Sequence, residues 1–188
     1  ETGDYTLDQQ ALAFGASYTG TSGNYLALST NKYMGTPTWS ANATSLSSSG
    51  GYDQSNAELG MHLGHRWVLF GQYQIGEVTM EGVNAYSLKS KGGFAGLSKA
   101  FSMGAAELFL SVAYSQSVTF DLKKTVSATA STSTGESTIM TVGISWPMGD
   151  VLSGSLAVKQ QDYNFKGALE QSFKDASTSA QFVLAARF

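Results

Sequence analysis

An alternation of apolar and polar residues at a period of two recurs along most of the chain and limits its fold more than any other feature. Successive side chains of a β-strand point to opposite faces, so this period is typical of strands. Helical periodicity of comparable strength is missing from the sequence. The sequence therefore predicts an all-β chain of about nine strands, at residues 11–19, 24–33, 56–64, 67–77, 86–101, 107–120, 137–146, 151–163 and 178–188.

Two neighbouring segments show how the pattern assigns faces. In segment 86–101, Tyr86, Leu88 and Phe94 share one face while Leu97 and Phe101 fall on the other. An extra residue in a strand reverses its alternation, so we expect a β-bulge near residues 92–93. Segment 107–120 needs no such correction, because one face carries Leu108, Leu110, Val112, Tyr114, Val118 and Phe120.

The connections between the segments alternate in length. Short ones lie at 20–23, 64–66, 102–106 and 147–150, and longer ones, rich in Ser, Thr, Gly and Asn, lie at 34–55, 78–85, 121–136 and 164–177. Tight periplasmic turns and long surface loops are typical of outer-membrane barrels, whereas a Greek-key sandwich does not sort its loops in this way. We therefore expect an antiparallel transmembrane β-barrel of the bacterial outer membrane, with the long loops at the cell surface. A soluble β-sandwich is the alternative fold.

Composition agrees with a lipid-covered outer surface. Charged residues are 13% of the chain, about half the usual share for a soluble domain. No apolar run approaches the ~20 residues that a membrane-spanning helix requires. The absence of cysteine excludes disulfides and thiolate metal sites. The net charge of −3, with no basic block beyond Lys123 and Lys124, argues against nucleic acid as a partner.

Aromatic residues collect near both ends of the predicted strands, as in the girdles that mark the two membrane interfaces. Tyr18, Trp67, Phe101, Trp146 and Phe188 lie at the tight-turn end, and Tyr33, Tyr73, Tyr86, Tyr114 and Tyr163 lie toward the long loops. In the last strand Phe182 and Leu184 alternate with a mixed set of residues that includes Gln181 and Arg187, and the strand ends on Phe188. We interpret Phe182, Leu184 and Phe188 as a C-terminal signal for the barrel-assembly machinery.

An odd strand number conflicts with the even number that bacterial single-chain barrels have. Three explanations remain open: a tenth strand hidden in residues 1–9, an N-terminal stretch that threads back through the lumen, or a chain that is the C-terminal part of a larger barrel. We favour the third. Residues 1–10 are then a tail or linker at the surface side, and residues 11–188 form the barrel domain.

The face expected to point inward carries many small residues, which favours a wide or occupied lumen. The alternative is that larger residues from other strands fill the space. The candidate polar residues lining the lumen are Glu58, His62, Gln72, Gln74, Lys159, Gln161 and Arg187.

Catalytic chemistry has little support in the sequence. His62 and Glu58 share the inward face and are residue types that can form an acid–base couple. We expect instead that His62 is a hydrogen-bonded histidine of the lumen. His62 and His65 point to opposite faces of a strand and are poor joint metal ligands. We therefore expect no enzyme activity, no metal and no cofactor.

Several segments resemble a known family. Residues 64–76 and 96–101, together with 110–116, 146–149, 152–156 and the terminal strand, are similar to the C-terminal barrels of autotransporters, most of all those with a subtilisin-like protease passenger. The resemblance covers most of residues 11–188. It implies an outer-membrane anchor and translocator whose passenger, with any protease residues, lies upstream. The N-terminal helix and first strands of a complete translocator are missing from this sequence.

The expected function is therefore to anchor and translocate an upstream passenger. The implied partners are outer-membrane lipid and lipopolysaccharide, the barrel-assembly machinery, and the passenger or another fragment of the same barrel. The alternative is a small self-contained porin or surface receptor barrel whose loops meet ligands.

Overall fold

The structure, a computed structural model, consists of β-strands joined by turns. It describes residues 5–41, 44–47, 50–80, 86–124, 130–150, 152–166 and 174–186. The strands are β1 (Tyr5–Thr19), β2 (Asn24–Ala41), β3 (Thr44–Ser47), β4 (Gly50–Gly64), β5 (Trp67–Met80), β6 (Tyr86–Met103), β7 (Ala106–Lys124), β8 (Ala130–Pro147), β9 (Leu152–Lys166) and β10 (Lys174–Ala186). The predicted all-β class is confirmed, since the described part of each of the nine predicted segments lies in a strand.

Antiparallel pairing joins the strands into one sheet in the order β1-β2-β4-β5-β6-β7-β8-β9-β10, with the short β3 attached to β2. The sheet curls into a half-barrel. Within the described ranges no backbone pairing connects β1 to β10, so each of these strands has one unpaired edge. Among the described residues there is no helix with the length and apolarity needed to cross a lipid bilayer.

The strands are longer than the sequence predicted. β1 begins at Tyr5, so residues 5–10, expected in a tail, continue this strand rather than form a separate one. β7 ends at Lys124 and β8 begins at Ala130, inside the predicted 121–136 loop. Polar composition suggested loops, but polar cross-strand pairs continue the ladder there, such as Asp121 accepting from Thr132 at 2.8 Å.

The tight turn between β4 and β5 consists of two residues, His65 and Arg66, with φ of 46° and 63°. Two consecutive residues with positive φ are what a type I′ hairpin turn requires, because its twist matches that of the flanking strands. Gly64, just before them, has a φ of 85°. Glycine adopts this left-handed conformation readily because it has no Cβ. This turn holds Arg66 and Trp67 at the rim of the sheet.

The irregularity in the alternation lies on β7 instead of β6. Between Gly92 and Ala95 β6 has two residues, whereas between their partners Val118 and Tyr114 β7 has three. β6 pairs with β5 without a shift through the same region. The predicted bulge at 92–93 was therefore placed on the wrong strand. β6 keeps one phase throughout, and Phe94 lies on the opposite face from Leu97 because it packs into the buried interior cluster.

This bulge divides β7 into two parts with opposite phase. Val112 and Tyr114 lie on the outer face with 45% and 43% exposure, whereas Val118 and Phe120 turn inward and are 2% and 5% exposed. The prediction of a single apolar face over 107–120 was wrong beyond Tyr114. The inward residues join a buried cluster that consists of Phe70, Phe94, Ala113, Val118, Phe120 and Ile139.

Candidate functional site

The outer face of the curled sheet is an apolar wall made by alternate residues of β2 and of the strands from β4 to β9. Its large side chains are exposed by roughly half, up to 65% at Leu59. Inward residues at the alternate positions are mostly buried or half-buried. The wall consists of Leu26, Leu28, Leu59, Met61, Leu69, Ile75, Leu97, Leu110, Val112, Met140, Val142, Leu156 and Val158.

The aromatic residues follow the predicted girdles only in part. Tyr18, Trp67 and Phe101 are exposed at the tight-turn end, and Tyr73 and Tyr114 are exposed on the wall. Tyr163 was expected on the outer face but turns inward, where its ring meets Phe120 edge-on at 5.3 Å. The side chains of Tyr33 and Tyr86, and the whole of Phe188, lie outside the described residues.

A polar network occupies the interior at mid-height. The Gln74 amide donates to Gln161 Oε1 at 3.3 Å, and the Gln161 amide donates to Ser137 Oγ at 3.3 Å. Lys159 Nζ donates to Gln54 Oε1 at 3.5 Å. β9 is not a sheet neighbour of β4 or β5, so these bonds cross the interior and link opposite walls of the half-barrel.

Two other predicted lumen residues are bound to neighbouring strands. Glu58 accepts a hydrogen bond from the Tyr25 hydroxyl. Gln72 donates to Asn56 Oδ1 at 2.9 Å. Glu58, Gln72, Gln74, Lys159 and Gln161 thus lie on the inner face of the curled sheet, and their role as the lining of a membrane lumen stays a prediction. Arg187 lies outside the described residues.

His62 lines the interior of the sheet, as expected of a lumen histidine, but the expected side-chain hydrogen bond is not found among the described residues. Its side chain is exposed, and its ring lies 6.0 Å from that of Tyr25. Within the described part of the chain its imidazole has no hydrogen-bond partner, while its backbone amide donates to the carbonyl of Gly23 at 3.2 Å. The described residues also contain no group of three or more His, Cys, Asp or Glu side chains placed to hold a metal ion.

A cavity of about 550 Å³ lies inside the sheet, extending toward the tight turns. Residues of nearly every strand line it, from Gly15 of β1 to Gln181 of β10, and its polar lining includes Glu58, Gln72 and Lys159. Water and polar groups therefore fit inside the sheet, whereas the outer wall exposes apolar side chains.

Aromatic rings cover several of the small inward residues. Tyr25, Phe70 and Phe109 lie directly opposite glycines on neighbouring strands. A Cβ added at Gly60, Gly96 or Gly143 would lie 2.1–2.3 Å from the opposing ring. The wide-lumen interpretation was therefore wrong at Gly60 and Gly143, where, as at Gly96, large residues from adjacent strands fill the space.

The C-terminal residues are described only in part. Phe182 is 58% exposed, and its ring lies 6.3 Å from that of Trp146. The backbone of Leu184 pairs with Gly154 in β9. The side chain of Leu184 and the whole of Phe188 lie outside the described residues, so the proposed C-terminal signal stays a prediction.

The sequence did not single out Asn31, Gln54 or Ser137, which are 5%, 3% and 2% exposed. If the apolar–polar alternation of each strand is continued to these residues, it assigns them to the inward face. The sequence carries no other signal for them. Their contacts depend on strands distant in the chain; the Lys159–Gln54 bond joins residues 105 positions apart.

Comparison of the chain with family models, with curated proteins and with solved structures found no match. The apolar wall and the polar interior are therefore the features of this chain that bear on its function.

Replacing Gln161 with alanine is expected to lower the free energy of unfolding by about 1–3 kcal/mol. The change removes both hydrogen bonds that Gln161 makes and leaves the buried Gln74 amide without a partner, where Gln74 Oε1 already lacks one. Urea unfolding of the reconstituted protein measures the loss.

The matched control is Gln160→Ala on the adjacent residue. The Gln160 side chain is exposed and, among the described residues, bonds to Asp162 two positions away, so we expect a change within about 0.5 kcal/mol. Equal losses in the two variants would mean that the bonds across the interior do not stabilise the fold.

Proposed function

We propose that the chain is an integral outer-membrane β-barrel segment that anchors an upstream passenger at the cell surface and takes part in its translocation. The observation that carries this proposal is the distribution of polarity: large apolar residues cover the outside of the sheet, and amides, hydroxyls and charges lie inside, beside the buried cluster around Phe94 and Phe120. A soluble domain has the opposite arrangement.

The energetics favour a hydrocarbon environment for the wall. Fully burying a large apolar side chain contributes ~1.5–3 kcal/mol relative to leaving it in water. The wall side chains, such as Leu28 at 54% and Leu156 at 49% exposure, receive only part of this gain from the sheet itself. Lipid acyl chains would supply the remainder.

The unpaired edges of β1 and β10 bear on the assembled form of the barrel. Open sheet edges do not occur in the hydrocarbon region, because their backbone groups would lack hydrogen-bond partners. In the membrane these edges must therefore be paired. We expect further strands, from the same polypeptide or another fragment of the barrel, to lie between them.

The interior contacts set a condition for translocation. The bonds from β9 to β4 and β5 cross the space that a passing chain would occupy. Translocation then requires that these contacts separate, and strands inserted between β1 and β10 would widen the barrel and move β9 away from β4. The described contacts support the anchoring role more directly than the conduit role.

We expect the native polypeptide to stay in the membrane pellet after alkaline extraction and to require detergent for release. Its outer wall, if embedded, is held by burial of apolar surface, which high pH does not remove. Release into the aqueous fraction without detergent would contradict membrane embedding and favour a soluble sandwich.

The passenger is tested by the mass of the polypeptide that contains this sequence, taken from outer membranes and denatured without proteolysis. A mass well above 19.8 kDa would support a larger surface protein. A mass near 19.8 kDa would contradict the anchor role and leave a self-contained barrel.

A further inference from the structure

A group of charged and aromatic side chains lies at the tight-turn rim of the sheet. We name it the rim cluster: Arg66, Trp67, Lys99, Phe101 and Glu107. Trp67 and Lys99 are direct cross-strand partners on β5 and β6. Lys99 and Phe101, two positions apart, share the outer face of β6.

Lys99 lies between two aromatic rings. Its Nζ is 4.6 Å from the ring centroid of Trp67 and 5.9 Å from that of Phe101. Both rings are exposed on the wall, at 39% and 42%. Cations held against aromatic faces at this distance are electrostatically favoured, so the ammonium group has a defined place at the edge of the apolar surface.

Several bonds fix the backbone around this lysine. Lys99 Nζ donates to the carbonyl of His65 at 2.9 Å, and the amide of Ala100 donates to the carbonyl of Arg66 at 3.0 Å. The Arg66 guanidinium donates to Glu107 Oε1 at 2.9 Å. The cluster therefore connects the β4–β5 turn, β6 and β7.

The charge of Lys99 is uncompensated within the described part of the chain. The ion pairs there are Arg66–Glu107 and Lys89–Glu77. Lys99 has three N–H donors, and a single backbone carbonyl accepts from them. The rim cluster thus carries a net charge of +1 and has donors left to bind an anion.

We propose that the rim cluster binds the headgroup phosphate of an anionic phospholipid at the membrane interface on the tight-turn side. This inference rests on the proposed function, since it needs the wall to face lipid. The acyl chains would lie along the apolar wall beside Lys99, where Leu97 and Leu110 are 37% and 41% exposed, and the phosphate would meet the ammonium at the rim. Basic side chains near a surface contribute to such binding, and aromatic residues favour the same depth.

The test uses Trp67 as a fluorescent reporter in the full chain. Trp39→Phe and Trp146→Phe leave Trp67 as the sole tryptophan, and the protein is reconstituted in phosphatidylcholine vesicles with a fixed minor fraction of phosphatidylglycerol. Either lipid is supplied with brominated acyl chains, which quench nearby tryptophan. We expect brominated phosphatidylglycerol to occupy the site about fivefold more often than its share of the bilayer.

Two substitutions in β6 make the test specific. Lys99→Gln should abolish the preference for phosphatidylglycerol. Lys89→Gln should leave it unchanged, because Lys89 lies near the opposite end of the same strand and pairs with Glu77 at 3.2 Å. Equal quenching by the two brominated lipids in the parent protein, or a preference that survives Lys99→Gln, would overturn the inference.

The failure of the proposed function has a different signature. If neither brominated lipid quenches Trp67, the wall does not face lipid at all. Should the tryptophan substitutions prevent folding, spin-labelled phosphatidylglycerol and phosphatidylcholine are compared on the wild-type chain and Lys99→Gln. A larger immobilised fraction of phosphatidylglycerol that depends on Lys99 supports the inference, and equal fractions contradict it.

Discussion

Val142→Arg is expected to lower the free energy of unfolding in lipid vesicles by about 2–4 kcal/mol. Val142 is 51% exposed on the apolar wall. Its cross-strand neighbours are Leu110 on β7 and Val158 on β9, both also exposed. An arginine there would place its guanidinium among acyl chains near the middle of the wall. Urea titration of the reconstituted protein, followed by tryptophan fluorescence, measures the change.

The matched control is Ser111→Arg, next to Leu110 on β7 but facing the interior cavity. The guanidinium would reach a polar space that also contains Glu58, so we expect a loss below about 1 kcal/mol. Equal losses for the two variants, or a gain of stability for Val142→Arg in water, would show that the wall faces solvent and would contradict the membrane proposal.

Gly143→Ala is the second variant with a large expected effect, a loss of about 1–3 kcal/mol or more. A Cβ at this position would lie 2.3 Å from Phe109 Cζ and 2.8 Å from the carbonyl oxygen of Leu156. The ring of Phe109 has some freedom to turn away, but the Leu156 carbonyl belongs to the paired β9 backbone. Unfolding in urea and loss of the compact band in unheated gel samples both report the effect.

Gly71→Ala is the control, because the atom nearest to its added Cβ is the Phe94 carbonyl oxygen at 3.9 Å. Alanine there restricts the unfolded chain without a clash, so a change of zero to a gain of about 0.5–1 kcal/mol is expected. We further expect Phe109→Ala to recover only part of the loss in Gly143→Ala, since the carbonyl stays in place. Full recovery would mean that the ring alone limits space at this position.

The sequence was least informative about the interior. Glycines at positions 60, 96 and 143 look like empty space in a linear pattern, yet each lies opposite an aromatic ring. The register of paired strands decides which ring meets which glycine, and register depends on turn length and bulges. Phe70 has the same phase as Gln72 and Gln74, so its inward direction was predictable, but its partner was not.

The bulge on β7 illustrates the same limit. Val118 and Phe120 continue the apolar alternation of Val112 and Tyr114 in sequence, and only the extra residue opposite β6 and β8 turns them inward. A local pattern records relative phase within a segment. It does not record an insertion whose effect depends on hydrogen bonds to neighbouring strands.

The sequence by itself determined the all-β class, the approximate positions of nine strands, the tight turns that join alternate strands and the outward face of most strands. These features are local, because a period of two and the length of a turn are properties of adjacent residues. The tertiary structure decided the phase of the outer part of β7, the pairing of rings with glycines and the network that connects β4, β5 and β9 across the interior. Those features depend on residues such as Gln74 and Gln161, 87 positions apart, which meet only when the whole sheet curls.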